Sequence, residues 1–173
     1  MKQTFSFKNL TKRSIFLEID KYLQDNKLTY SSIDELRPWG GFFVINEDDT
    51  DHFIDLYFPD YPKDKIKQFG HKLSPKILVV EPNKRLSWQY HNRRAELWRV
   101  IDGPVGFIKS LNDNQSKIEV LNNDQTVQFN KLIRHRLIGL DTWGIVAEIW
   151  QHTDTSNPSN EEDIIRLADD FGR

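Results

Sequence analysis

Arg85–Gly103 reads RLSWQYHNRRAELWRVIDG, and apolar and polar side chains alternate on both sides of a polar break at Asn92–Arg94. A period of two marks extended chain whose side chains point to opposite faces in turn. Ser87, Gln89 and His91 therefore share one face, and Trp88 and Tyr90 the other. Past the break, Glu96, Trp98 and Val100 share a face. Read as a hairpin, the stretch brings His91 against Glu96, with Gln89 one step further down. In LIRHRLIGL (132–140), His135 alternates with Ile133 and Leu137, which places it on an inward face and turns Arg134 and Arg136 outward. Gln89, His91, Glu96 and His135 can thus converge inside a small barrel. Two imidazoles, a carboxylate and an amide oxygen suit one divalent transition metal ion; zinc stands first, and manganese, iron, cobalt and nickel are compatible.

The same rhythm runs through the second half of the chain. KILVVE, RLSWQYH, ELWRVI, VGFIKS, KIEVL, TVQFN, IRHRLIGL and GIVAEIWQ are short β-rich runs, separated by turn signals such as Pro82-Asn83 and Asp102-Gly103-Pro104. Short strands at near-regular spacing predict an antiparallel sandwich or barrel. Helices are predicted at both ends. Over Thr11–Asn26, Ile15, Phe16, Ile19, Tyr22 and Leu23 form one apolar face. In SNEEDIIRLADDFG, Ser159 stands three residues before Glu162 as a capping box, and Ile164, Ile165, Ala168 and Phe171 would face the sheet. Gly40-Gly41 invite a turn before the short strand FFVIN, and Glu47–Gly70 reads as an excursion with little regular structure.

The bulk properties narrow the function classes. A chain of 173 residues with 38% hydrophobic and 29% charged residues fits one folded domain. Its net charge of −2 argues against nucleic acid or an anionic membrane as the main partner. Zero cysteines exclude disulfides, thiolate metal sites and thiol nucleophiles. No apolar run reaches the length of a membrane span, and MKQTFSFKNL lacks the core of a secretory signal, so a soluble, cytoplasmic protein is expected.

The residues resemble the cupins, whose first motif sets two metal ligands two apart, then a Glu, then a closing Gly. Here these are Gln89, His91, Glu96 and Gly103, with His135 at the place of the family's late His. The chain is most similar to the cupin domain of type II mannose-6-phosphate isomerases in RPWG (37–40), in Leu86–Trp98, in HRL (135–137) and in the closing EEDIIRLADDFGR. It departs from them at Asn83, Asn92, Arg93, Asn130 and Leu132, which alters the mouth of the barrel rather than the ligands. The resemblance implies a mainly β fold, a cupin-type double-stranded β-helix (jelly-roll barrel) with N- and C-terminal helices. It divides the chain into a helical arm, 1–36, and a barrel domain, 37–173. It also implies a sugar-phosphate aldose–ketose isomerase acting through a metal-stabilised enediolate, and it allows a homodimer.

Such chemistry needs a base and an anion site. Glu148 in IVAEIWQ shares a face with Val146 and Trp150, where burial would raise its pKa toward neutrality. Arg37, Lys84, Arg94 and Arg136 are the cations nearest the motifs for a phosphate, and Trp39 and Trp98 offer faces to a sugar ring. His52, His71 and His152 stand in polar contexts and read as solvated, as does Lys63–Lys67. Two rivals to the isomerase are a cupin that binds a sugar or sugar nucleotide without turnover, and an oxygen-using cupin.

Overall fold

The computed structural model describes residues 10–70 and 72–172, so His71 lies outside the described residues. Two antiparallel sheets make the body. The first has six strands: β1 (Tyr30–Asp34), β2 (Gly40–Ile45), β3 (Leu73–Val80), β5 (Arg94–Asp102), β8 (Thr126–Phe129) and β10 (Gly144–His152), in the order β1-β2-β3-β10-β5-β8. The second has five: β4 (Trp88–His91), β6 (Val105–Ser110), β7 (Glu119–Leu121), β9 (Arg134–Gly139) and β11 (Ile164–Ala168), in the order β11-β4-β9-β6-β7. All eight β-rich runs of the second half are strands.

Alternation sorts the core into layers. Leu78, Val80, Trp98, Val100 and Val146 from the first sheet meet Val105, Phe107 and Leu137 from the second between the two sheets. The opposite faces of the same strands, Ile77, Val79, Leu97, Ile145, Ala147 and Ile149, turn outward under helical cover. That cover is α1 (Lys12–Asp25), α2 (Thr50–Tyr57) and α3 (Lys63–Ile66). Thr11 caps α1 by accepting the Ser14 backbone N–H, and the apolar face from Ile15 to Leu23 is buried as its periodicity requires. This helix and β1 belong to the same packed body as the sheet, since Phe16 stacks on Phe43 of β2 at 5.5 Å.

Four expectations are corrected. Glu47–Gly70 is largely helical, because Phe53, Ile54 and Tyr57 give even a short helix an apolar face to bury. Gly40 and Gly41 open β2, and the turn falls on Pro38–Trp39. The predicted C-terminal helix is a 3-10 turn, Glu161–Asp163, followed by strand β11. β11 pairs with β4 in the register Ile164↔His91 and Arg166↔Gln89, and this cross-strand pairing overrides the local helical pattern. Ser159 donates to Asp163 Oδ2 at 2.7 Å instead of capping toward Glu162. Finally, β4 and β5 are not a hairpin. They lie in different sheets, and Asn92–Arg93 turn the corner between them.

Candidate metal centre

The corner brings His91 and Glu96 together from opposite layers. His91 and Gln89 point inward from β4, His135 points inward from β9 directly across from Gln89, and Glu96 meets them from β5. His91 Nε2 lies 3.1 Å from Glu96 Oε1, and His135 Nε2 lies 3.1 Å from Glu96 Oε2. All three residues are buried, with ligand atoms within 4.8 Å of one another.

The hydrogen-bond partners fix what these atoms offer. The Nδ1–H of His135 donates to the Ile133 carbonyl at 2.9 Å, and that of His91 faces the Asp163 carbonyl at 3.3 Å. Each ring therefore turns an Nε2 lone pair toward the carboxylate, the arrangement by which backbone carbonyls orient metal-binding imidazoles. Acceptors facing one another at 3.1 Å call for positive charge between them. A divalent cation fits this donor set of two nitrogens and a carboxylate.

Part of that charge comes from Arg94. Its guanidinium is buried, donates from Nε to Glu96 Oε1 at 2.8 Å, and lies 3.2 Å from His91 Nε2. Ser159 Oγ accepts another of its N–H groups at 3.0 Å, and the plane rests over the Trp150 ring at 3.5 Å. Burial pushes the Glu96 carboxyl up, but His91, Arg94 and His135 outweigh it and hold Glu96 well below the ordinary carboxylate range. Burial also lowers His91, against the opposing pull of Glu96.

The centre opens onto a cavity lined by both sheets. Glu148 stands in its wall on β10, accepting the Trp98 indole N–H at 2.9 Å. Burial, reinforced by Glu96, pushes the Glu148 carboxyl up to about 8 against the opposing pull of Lys76 and Arg94. Gln89 lines the cavity with its amide oxygen accepting from Ser87 Oγ at 2.6 Å. Arg37, Trp39, Arg94, Trp98 and Arg136 line it as well, whereas Lys84 lies on an exposed turn away from it. Arg136 does not point into solvent. It is buried and donates twice to the Leu86 carbonyl.

Two residues of the site were missed. Lys76 lines the cavity from β3 with 6% of its surface exposed. The signal was present, since Lys76 holds the inward phase of Leu78 and Val80 in LSPKILVV. His152 continues the inward phase of Glu148 and Trp150 and is buried rather than solvated. Its Nδ1 accepts from the Ser159 backbone N–H at 3.0 Å, which leaves Nε2–H for Ser74 Oγ at 2.9 Å. Trp150 Nε1 is buried and finds no acceptor among the described residues.

Comparison with known proteins agrees with this architecture. An oxalate decarboxylase of Bacillus subtilis superposes with a TM-score of 0.56 at 13% identity, over 80% of this chain and 31% of that one. The oxalate decarboxylase of Lactobacillus farciminis gives 0.53 at 15% identity, over 79% and 33%. Procruciferin, an 11S globulin of Brassica napus, gives 0.51 at 14%, over 73% and 29%. The chain thus spans about a third of the length of these proteins, and the likeness is one of fold. No match to a curated protein is found. The family model described as mannose-6-phosphate isomerase C-terminal matches residues 46–169. With two sheets closed around a His-Glu-His centre, the chain belongs to that family of cupin-type barrel domains.

Proposed function

We propose that the protein is a metal-dependent isomerase that interconverts an aldose and a ketose phosphate. The observation carrying this reading is that Glu148, a buried carboxyl with a raised pKa, shares one cavity with a two-imidazole, one-carboxylate cation centre. His91, Glu96 and His135 would hold the ion, with Gln89 beside them as a further oxygen donor. A divalent cation there supplies the electrophile that polarises a carbonyl and offsets charge developing on its oxygen.

The remaining work falls to side chains of this chain. Glu148 accepts the proton from the hydroxyl-bearing carbon beside the carbonyl at one carboxylate oxygen and returns it to the former carbonyl carbon, while the hydroxyl proton passes to the former carbonyl oxygen, so no proton is gained or lost. The Trp98 indole fixes the other oxygen and so aims the carboxylate. Trp98, Phe129 and Leu137 keep the floor dry, and a dry floor strengthens each charge interaction there. Positive charge at the centre also draws the Glu148 pKa down from its elevated value, favouring the basic form near neutral pH.

The purified full chain, loaded in turn with zinc, manganese, iron, cobalt and nickel, is to be incubated with hexose and heptose phosphates and the products separated. The expected result is an equilibrium mixture of aldose and ketose phosphates that disappears on chelation. A metal-loaded protein inert on all of them would remove the reading.

A further inference from the structure

One wall of the cavity is a ladder of alternating cations and aromatic rings. The Arg37 guanidinium carbon stands 5.4 Å from the centroid of Phe42, and Lys76 Nζ stands 5.0 Å from the same ring. Lys76 Nζ also lies 3.3 Å from the Trp150 centroid, and Arg94 covers that indole at 3.5 Å. Arg94 then touches Glu96 and His91. The ladder therefore leads without a break from the mouth, at Arg37, to the metal centre.

The strand register sets its scale. Lys76 is the cross-strand partner of Glu148, which is in turn the partner of Trp98. Lys76 thus lies two strands from the strand of Glu96, roughly 10 Å across the sheet. A ligand whose carbonyl end lies at the centre and whose other end lies against Lys76 would pass across Glu148.

The charge balance at Lys76 is lopsided. The ammonium is buried, and a buried charge is costly unless it is paired. Its carboxylate partner, Glu161 at 3.2 Å, has a side chain 54% exposed and sits on the short 3-10 turn before β11. Glu161 can return to water at little cost. Lys76 then keeps Glu148, its cross-strand neighbour, as its one remaining carboxyl among the described residues, which leaves the place of Glu161 open to another anion. A phosphate monoester carries more charge and more acceptor oxygens than a carboxylate, so it is the stronger partner for an ammonium in that place.

Building on the isomerase reading, we propose that Lys76, with Arg37 across the Phe42 ring, is the subsite for the phosphoryl end of the substrate. Glu161 occupies it as a displaceable internal anion. The sugar phosphate enters by exchanging its phosphoryl group for the Glu161 carboxylate, and specificity for a phosphorylated sugar over the neutral one resides at Lys76.

The test uses the metal-loaded full chain. Calorimetric binding of inorganic phosphate, and KM and kcat for a hexose 6-phosphate and the corresponding free hexose, are compared for the parent, Lys76→Met, Lys76→Arg and Glu161→Gln. Lys76→Met should weaken phosphate binding and raise KM for the hexose phosphate by about tenfold or more, with a smaller change in kcat. Lys76→Arg should recover most of the loss. Glu161→Gln, at an exposed position where folding is not at issue, should tighten phosphate binding severalfold.

Unchanged phosphate affinity in Glu161→Gln, or in a folded Lys76→Met, overturns the subsite. If the parent isomerises hexose phosphates and either variant behaves like it, the subsite fails while the isomerase reading stands. If phosphate binds as described and no isomer forms, the isomerase reading fails while the subsite stands.

Discussion

Arg94 and Glu96 stand two residues apart on one face of β5, and the guanidinium Nε reaches the carboxylate Oε1 at 2.8 Å with both side chains almost fully buried. The pair makes Arg94 the internal counter-charge of the metal centre. Removing it leaves a carboxylate without its nearest cation. Arg94→Met should destabilise the metal-free protein by roughly 3–5 kcal/mol. Added zinc should recover more stability in the variant than in the parent, because the ion then meets an unshared Glu96. Denaturant unfolding with and without metal measures both effects.

Metal uptake depends on the three converging ligands. His91→Ala, His135→Ala and Glu96→Gln should each lower affinity for a divalent ion by at least about tenfold, the scale already seen for loss of groups that only orient ligands. Competition against a chromophoric chelator reads this directly. Full affinity in His135→Ala would place the ion elsewhere.

Glu148 makes stability depend on pH in a direction opposite to most carboxylates. Its folded pKa, about 8, lies above its ordinary value, so its contribution is fully present below about pH 4.5 and is lost as pH rises toward 8. Glu148→Gln should therefore gain stability relative to the parent over that window in the metal-free state, by up to roughly 3–5 kcal/mol. The same substitution should cut isomerisation by about 10²–10⁴-fold, the usual worth of a positioned base.

His152 titrates in the other sense. Burial, with help from Lys72, lowers its pKa to about 4, below its unfolded value, so its contribution is present above about pH 6.5 and is lost as pH falls through 4. Protonating Nδ1 also breaks the bond from the Ser159 backbone N–H. His152→Gln should flatten the acid limb of a plot of unfolding midpoint against pH, and an unaltered limb would contradict the assignment.

Much of this centre is legible in the sequence. Alternation alone put Gln89, His91, Glu96 and His135 on inward faces, and it marked the eight strands from β3 to β10. The route by which they meet was not legible. Periodicity gives the phase of a side chain but not the sheet its strand joins, so a two-residue corner and a hairpin turn look alike at Asn92–Arg93. The C-terminal segment failed for a related reason. Ile164, Ile165 and Ala168 fit a helical face, and only the unpaired edge of β4 decides for a strand. Lys76 shares the inward phase of Leu78 and Val80, but a long lysine stem in an apolar strand has the same pattern whether its ammonium is buried or reaches water.

The corner at Asn92–Arg93 has a mechanical meaning. Asp163 accepts the backbone N–H of both corner residues, and its own carbonyl faces His91, so the segment entering β11 is latched onto the bend. His91 and His135 belong to one layer and Glu96 to the other. An ion held by all three would be a clasp between two plates, tying one layer to the other at this end of the sandwich.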